Sequence, residues 1–145
     1  MTISGTAQLD APDAASRTPG VVTGSVAALL RFEGAAAFAA ALALYGYAGF
    51  SWLIFALCFF TPDLSMLGYL AGPRIGAAVY NLLHTYTLAG ALVFAGFSGG
   101  LPLVTAAGLI LIGHIGFDRT LGFGLKYSSG FGDTHLSRAR RHART

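Results

Sequence analysis

Charged side chains are scarce in this chain of 145 residues. Asp, Glu, Lys and Arg make up 10% of it, whereas an ordinary soluble domain has roughly a quarter, and 54% of the residues are hydrophobic. With a mean hydropathy of +0.65, this balance argues against a soluble enzyme, a secreted protein or a nucleic-acid binder. It indicates a small integral membrane protein.

Cysteine is nearly absent as well. The single cysteine, Cys58, lies in an apolar run, which excludes a disulfide framework within the chain and a metal site built on cysteine. Residues 1–24 also lack the basic start and the apolar core of a signal peptide. Their Ala, Thr, Asp and Pro content predicts a disordered arm.

Four apolar segments are each about 20 residues long, enough for a helix to cross a hydrocarbon core of about 30 Å. Short connections predict that sequential helices pack as antiparallel neighbours in one all-α bundle. The predicted spans are Val26–Tyr47, Ser51–Leu70, Ile75–Phe97 and Leu101–Leu121. The predicted organisation is a disordered arm over 1–24, a four-helix transmembrane domain over 25–125, a membrane-surface loop over 126–136 and a basic tail over 137–145.

Basic residues are segregated along the chain. All nine Lys and Arg residues lie on the N-terminal side, in the second connection or on the C-terminal side, and the first and third connections have none. Because cytoplasmic loops carry the excess of Lys and Arg, both termini and the turn at 72–74 are predicted to be cytoplasmic. The bilayer is the expected partner, with anionic lipid attracted to the basic tail. The net charge of +3 comes from these residues and does not indicate nucleic acid.

Ionisable residues fall in one layer of the predicted bundle. Asp63, His84, His114 and Glu33 each sit about 10 to 15 Å from the cytoplasmic end of their span, at about 1.5 Å per residue, and Asp118 lies shallower. Such groups are costly in hydrocarbon without partners, so we expect them to meet in a cavity open to the cytoplasm. The outer halves of the spans contain neither a charged residue nor a histidine.

Local spacing supports this convergence. His114 and Asp118 are four residues apart, so an imidazole and a carboxylate share a helix face and can share a metal or a hydrogen bond. Tyr80, Asn81 and His84 also share a face.

Two further features concern the first two spans. Thr61-Pro62-Asp63 predicts an interruption, with Thr61 as N-cap and Pro62 at the first position of a new half-helix, so that a positive helix end lies beside Asp63. Glu33 is expected to face inward while Arg31 extends to the headgroups.

The segment after the last span, residues 122–135, is rich in glycine and aromatic residues. It is expected to fold back over the mouth of the bundle. Asp133 and His135 are two apart and can add ligands or an acid/base group there. Alternatively, Asp133 caps a short helix that starts near Thr134.

The chain contains four motifs, at Thr61–Tyr69, Tyr80–Tyr86, His114–Gly122 and Gly130–Leu136. Together they resemble the small bacterial membrane proteins of the domain-of-unknown-function 4260 family. The resemblance covers roughly residues 29–136, with Phe123 and Gly132 where that pattern has Tyr and Lys. It implies a four-helix membrane protein and supplies no activity.

One hypothesis for the function is a membrane-embedded, metal-dependent hydrolase or related lipid-modifying enzyme. His84, His114 and Asp118 would bind zinc or another divalent ion. Asp63 or Glu33 would complete the ligand shell or act as general base, and His135 would close the site. Lys126 and Arg119 would be the charge partners of a phosphate or a lipid headgroup. The candidate binding residues are Tyr80, Asn81, Arg119, Lys126 and Asp133.

The alternative is a non-enzymatic helper or partner-binding subunit whose polar layer is a hydrogen-bonded contact between helices. A proton or ion carrier ranks lower, because beyond the polar layer the chain offers only hydroxyl groups such as Thr85, Thr87 and Thr105.

Overall fold

The structure is a computed structural model that describes residues 20–137. The predictions for the first 19 residues and for the basic tail after residue 137 lie outside the described residues. Within this part of the chain the fold is all-α, with one isolated β-bridge. Its helices are α1 (Gly24–Tyr47), α2 (Trp52–Cys58), a 3-10 helix (Thr61–Ala71), α3 (Pro73–Leu83), α4 (Tyr86–Ser98) and α5 (Pro102–Leu121).

These elements form four apolar spans, as the sequence predicts. α1 and α5 are each one span, α2 continues into the 3-10 helix, and α3 continues into α4, giving spans long and apolar enough to cross a membrane. Large apolar side chains such as Phe32, Phe94 and Phe97 are mostly exposed on the outside. An apolar surface of this kind suits contact with the hydrocarbon core of a bilayer, which indicates a membrane protein.

The second span is interrupted where proline predicts it. α2 ends at Cys58, and the 3-10 helix begins at Thr61 with Pro62 in its first turn. Proline lacks a backbone N–H, so it fits the start of a helix and not its interior. The prediction that Thr61 is the N-cap is wrong: its hydroxyl donates to the carbonyl of Cys58 at 2.7 Å, and Phe60 is the cap residue.

The third span is interrupted at residues 83–85, where the sequence has neither the proline nor the glycine that would predict a break. α3 ends at Leu83, and His84 is its C-cap residue, with φ −106° and ψ 24°. Thr85 is extended and caps α4, because its hydroxyl accepts a hydrogen bond from the amide of Thr87. Two ionisable residues, Asp63 and His84, thus lie directly beside helix breaks.

α5 is the central helix and packs antiparallel to both α1 and α4. The contact with α1 depends on two glycines, because a Cβ on Gly116 would lie 2.7 Å from the carbonyl oxygen of Gly34. A Cβ on Gly108 would similarly lie 2.7 Å from the backbone nitrogen of Val93 in α4. Small residues therefore permit close helix approach at these positions.

α1 starts and α5 ends at the same end of the bundle, which we call the loop end. The chain after α5 folds back onto this end. Lys126 and Thr134 form an antiparallel β-bridge, and the backbone of Leu125 pairs with His135. The amide of Val22 donates to the carbonyl of His135, so both limits of the described chain meet there. The opposite end, with the turns at 48–51 and 99–101, is called the far end.

Candidate metal centre

Four side chains from three spans meet inside the loop-end half of the bundle. Asp63 comes from the first turn of the 3-10 helix, His84 from the break after α3, and His114 and Asp118 from one face of α5. Each offers a nitrogen or oxygen atom, and these atoms all lie within 4.8 Å of one another. The sequence prediction that these four residues converge is confirmed.

The spacing of the four atoms resembles that of a ligand set. The two Nε2 atoms of His84 and His114 are 3.1 Å apart, and their distances to the carboxylate oxygens of Asp63 and Asp118 are 3.5 to 3.8 Å. Ligands about 2.0 to 2.1 Å from a tetrahedral zinc ion stand about 3.3 to 3.4 Å apart. Two imidazoles and two carboxylates can therefore hold zinc, or another divalent transition ion, with small side-chain movements.

His84 is oriented by Tyr80. Its Nδ1 lies 2.9 Å from the backbone carbonyl of Tyr80, and because a carbonyl only accepts, Nδ1 carries the proton and the Nε2 lone pair faces the cluster. The Tyr80 ring stacks on the imidazole with 3.6 Å between centroids. Its hydroxyl donates to Oδ2 of Asp118 at 3.3 Å. Tyr80 thus positions two of the four candidate ligands, as the outer partners of metal ligands do.

His114 is fully buried, and its Nδ1 has no hydrogen-bond partner within the described residues. Its Nε2 faces His84 and both carboxylates. Two carboxylates in a site of this kind need a compensating positive charge, because an uncompensated charge there is costly. A divalent cation would supply that charge.

A cavity of about 260 Å³ adjoins the cluster on its loop-end side. Asp63, Tyr80 and Asp118 form its inner wall, and Lys126 lies in the wall formed by the terminal loop. The side chain of Asp63 is 33% exposed and that of Asp118 15%, whereas both imidazoles are nearly inaccessible. The apolar walls are formed by Phe60, Met66, Phe117, Leu121, Phe123 and Phe131.

Lys126 is held in place by hydrogen bonds to its backbone and by contacts between its ammonium group and aromatic rings. The Asn81 side chain donates to the carbonyl of Lys126 at 2.9 Å and accepts from its amide at 2.7 Å. The ammonium group donates to the carbonyl of Phe131 at 2.9 Å and lies 4.7 Å from the Tyr80 ring centroid. Burial lowers the pKa of Lys126, while the charges of Asp118 and Asp63 act in the opposite direction.

A model of the family described as Domain of unknown function (DUF4260) matches residues 27–139. The chain belongs to this family. No curated protein and no solved structure matches the chain. The match to the DUF4260 model includes all four residues of the cluster and the terminal loop.

Several residues predicted for the site of this DUF4260 protein lie elsewhere. Glu33 is exposed on α1 and does not belong to the cluster. The guanidinium of Arg119 lies over the Tyr86 ring, 4.8 Å from its centroid. Asp133 accepts a hydrogen bond from Ser129 within the loop, and the short helix proposed at Thr134 does not form because that segment makes the β-bridge.

His135 also stays in the loop. Its Nδ1 accepts a hydrogen bond from the amide of Leu125 at 2.9 Å, which requires a neutral ring. Burial lowers the pKa of His135 below its usual value of 6.5. The expectation that His135 closes the site is therefore not met by this geometry, and the charged loop residue that lines the cavity beside the cluster is Lys126.

Two contacts were missed by sequence reasoning: the bracing of His84 and Asp118 by Tyr80, and the clamp that Asn81 makes on Lys126. The spacing of Tyr80 and His84 placed them on one face, which was a usable signal for the first. The second depends on the path of the loop, for which the sequence carries no comparable signal.

Proposed function

We propose that this protein is a membrane-embedded hydrolase that depends on a divalent metal, with zinc as the first choice. His84, His114 and Asp118 are the proposed ligands, and Asp63 is the proposed general base. The observation that carries the proposal is the spacing of the four ligand atoms, with a cavity of about 260 Å³ beside them.

The different roles proposed for Asp118 and Asp63 follow from the different exposure of their side chains. Catalytic zinc sites have three protein ligands and keep one position open, whereas four protein ligands make a closed, structural site. Asp118 is the more buried carboxylate and is braced by Tyr80, which suits a permanent ligand. Asp63 is more exposed and lines the cavity, so it can leave that position to a water molecule and accept its proton. A divalent ion held by these residues would lower the pKa of a water molecule and so supply the nucleophile.

The loop end is proposed to face the cytoplasm. Within the described residues, Arg31, Arg74 and Arg119 lie at the loop end of their spans and Lys126 lies in the terminal loop, which agrees with the positive-inside rule. In a Cys58→Ser background, an impermeant thiol reagent on intact cells should label Gly99→Cys and leave Arg74→Cys unlabelled. The reverse pattern would overturn this orientation.

The second candidate is a helper or partner-binding subunit in which the cluster joins the helices. It is favoured by the direct contacts of His84 with His114 and of both with the carboxylates, because hydrogen bonds among these four side chains would join the helices without a metal. The two candidates differ in what they require of Asp118. A metal site needs its charge, whereas a hydrogen bond needs only an oxygen atom of similar position.

The test compares His114→Ala and Asp118→Asn by elemental analysis and thermal unfolding of detergent-purified protein. For a metal site, the wild type binds about one ion per chain and both variants lose it. For a contact between helices, Asp118→Asn is tolerated and His114→Ala lowers stability by about 1 kcal/mol.

His135→Ala is the matched control, since it removes an imidazole outside the cluster and should keep the metal. Unchanged metal content in both cluster variants would remove His114 and Asp118 from the proposed site.

A further inference from the structure

The mouth of the cavity is rimmed by apolar side chains. Phe60, Leu121, Phe123 and Phe131 line the cavity and are each more than half exposed. They come from the break in the second span, the end of α5 and the terminal loop, so the opening lies at the level where spans give way to loop. Exposed apolar groups around an opening suit a ligand that is itself partly apolar and resides in the membrane.

Lys126 brings a cation into this apolar setting that is not paired with a carboxylate. The ion pairs within residues 20–137 join the imidazoles of the cluster to Asp63 and Asp118 and do not include Lys126. An ammonium group has three donors, and the contact recorded for this one is with the carbonyl of Phe131. Donors therefore remain for an anion in the cavity.

The position of this ammonium is fixed before any ligand arrives. Asn81 clamps the backbone of Lys126 from both sides, and the Phe131 ring centroid lies 3.7 Å from Nζ. Cation–π contacts and a clamped backbone reduce the entropy lost when a ligand is bound.

The balance of charges in the cavity then gives the sign of the charge that the ligand carries. A divalent ion cancels the charges of Asp63 and Asp118, so the ammonium of Lys126 leaves the cavity with an excess of one positive charge. The cavity of about 260 Å³ is slightly smaller than the range of about 300 to 1,000 Å³ that encloses drug-sized ligands. It can take a headgroup, while acyl chains remain outside between the exposed rim residues.

We propose that the cavity binds the phosphate of an anionic phospholipid, held between Lys126 and the metal centre, and that such lipids are the substrate class. This inference rests on the proposed metal-dependent function. Lysine binds phosphate as a point charge, which suits a headgroup approached from one side.

The experiment is calorimetric titration of zinc-loaded protein, in a neutral detergent, with dihexanoyl phosphatidic acid. Lys126→Gln removes the cation, and Arg74→Gln is the matched control because Arg74 is an exposed cation at the same end of the bundle. We expect saturable binding that Lys126→Gln weakens by at least about tenfold and Arg74→Gln leaves unchanged. Lys126→Arg should retain most of the affinity.

Two further titrants identify the source of the phosphate. Dihexanoyl phosphatidylcholine should bind much more weakly than phosphatidic acid, because its headgroup has no net charge. Inorganic phosphate should also bind more weakly, since it lacks the apolar part that contacts the rim. Phosphate that binds as tightly as phosphatidic acid would overturn the assignment to a lipid.

Zinc content, measured on the same samples, separates the two proposals. Equal lipid affinity in the wild type and Lys126→Gln, with full zinc in both, overturns the lipid inference and leaves the metal centre intact. Wild-type protein that takes up no zinc contradicts the proposed function, whatever lipid it binds. Full zinc in Lys126→Gln also shows that this variant is folded.

Discussion

The two halves of the bundle are built by different means. In the far-end half, the rings of Tyr45, Phe50, Trp52 and Phe55 pack with centroids 5.1 to 5.5 Å apart, and the spans contain no charged residue or histidine. In the loop-end half, two spans are broken, and four ionisable side chains meet at the breaks. Asp63 and His84 thus lie where helices are interrupted, and His114 and Asp118 face them from the continuous helix α5. The far-end half depends on apolar packing.

α5 connects the two halves and shows the difference within one helix. Its first part buries Ala106, Leu109 and Ile110 in the far-end core, and its last part presents His114 and Asp118 to the cluster. A change in one half should therefore affect either packing or metal binding, and seldom both. The predictions below test that separation, beginning with the largest expected effect.

His84→Ala should abolish stoichiometric metal binding, because it removes one of two imidazole ligands. Tyr45→Phe in the far-end half should leave metal content unchanged. It removes only the hydroxyl that donates to the carbonyl of Ser51 at 2.9 Å, so it should lower stability by about 1 kcal/mol. Elemental analysis and thermal unfolding of both variants provide the comparison. Loss of metal in Tyr45→Phe would show that the halves are not separate.

Gly108→Ala should lower the free energy of unfolding by about 1 to 3 kcal/mol, since the added Cβ would lie 2.7 Å from the backbone nitrogen of Val93. Gly90→Ala is the control, because nothing lies within 4 Å of a Cβ there. Folded Gly108→Ala should still bind metal. Equal unfolding temperatures for the two variants would argue against the close packing of α4 and α5.

Asn81→Ala should free the terminal loop without removing a ligand. The substitution deletes both hydrogen bonds to the backbone of Lys126, at a cost of about 1 to 3 kcal/mol. Hydrogen exchange should become faster in residues 122–137 and stay unchanged at residues 36–58. Uniform acceleration along the chain would mean that the clamp supports the whole bundle and not the loop.

A smaller effect is expected from pH. Because burial lowers the pKa of His135 below 6.5, the loop is fully stabilised above that value and loses stability as the pH falls through 6.5 toward the lowered pKa. The protection factors of the amides in residues 122–137, which are corrected for the intrinsic exchange rate, should therefore fall as the pH is lowered from about 7.5 to about 5. The same segment in His135→Gln should show no such dependence.

The sequence predicted the spans well because length and apolar content are sufficient to define them. It also predicted the break at Pro62, since proline removes a backbone donor. The break at His84 could not be predicted, because Leu83, His84 and Thr85 include neither glycine nor proline. At this break His84 contacts His114 of α5, and a contact between residues so distant in the chain has no signal in the local sequence.

The site was predictable in part, because ionisable residues are conspicuous within apolar spans. Ionisable groups within apolar spans need partners, which identified Asp63, His84, His114 and Asp118. Glu33 lies at a comparable depth and was predicted to face inward, but depth does not determine which face of α1 a residue occupies. The places of Lys126 and His135 depend on the fold of the loop, where the sequence has no periodicity to follow.

X-ray absorption spectroscopy of the purified, zinc-loaded protein tests the central claim most directly. The account predicts about one zinc ion per chain, with nitrogen and oxygen ligands at about 2.0 to 2.1 Å and outer scattering from two imidazole rings. That imidazole signal should disappear in the His84→Ala, His114→Ala double variant. Protein that binds no stoichiometric metal, or a spectrum without imidazole scattering, would contradict the assignment of these four residues to a metal centre.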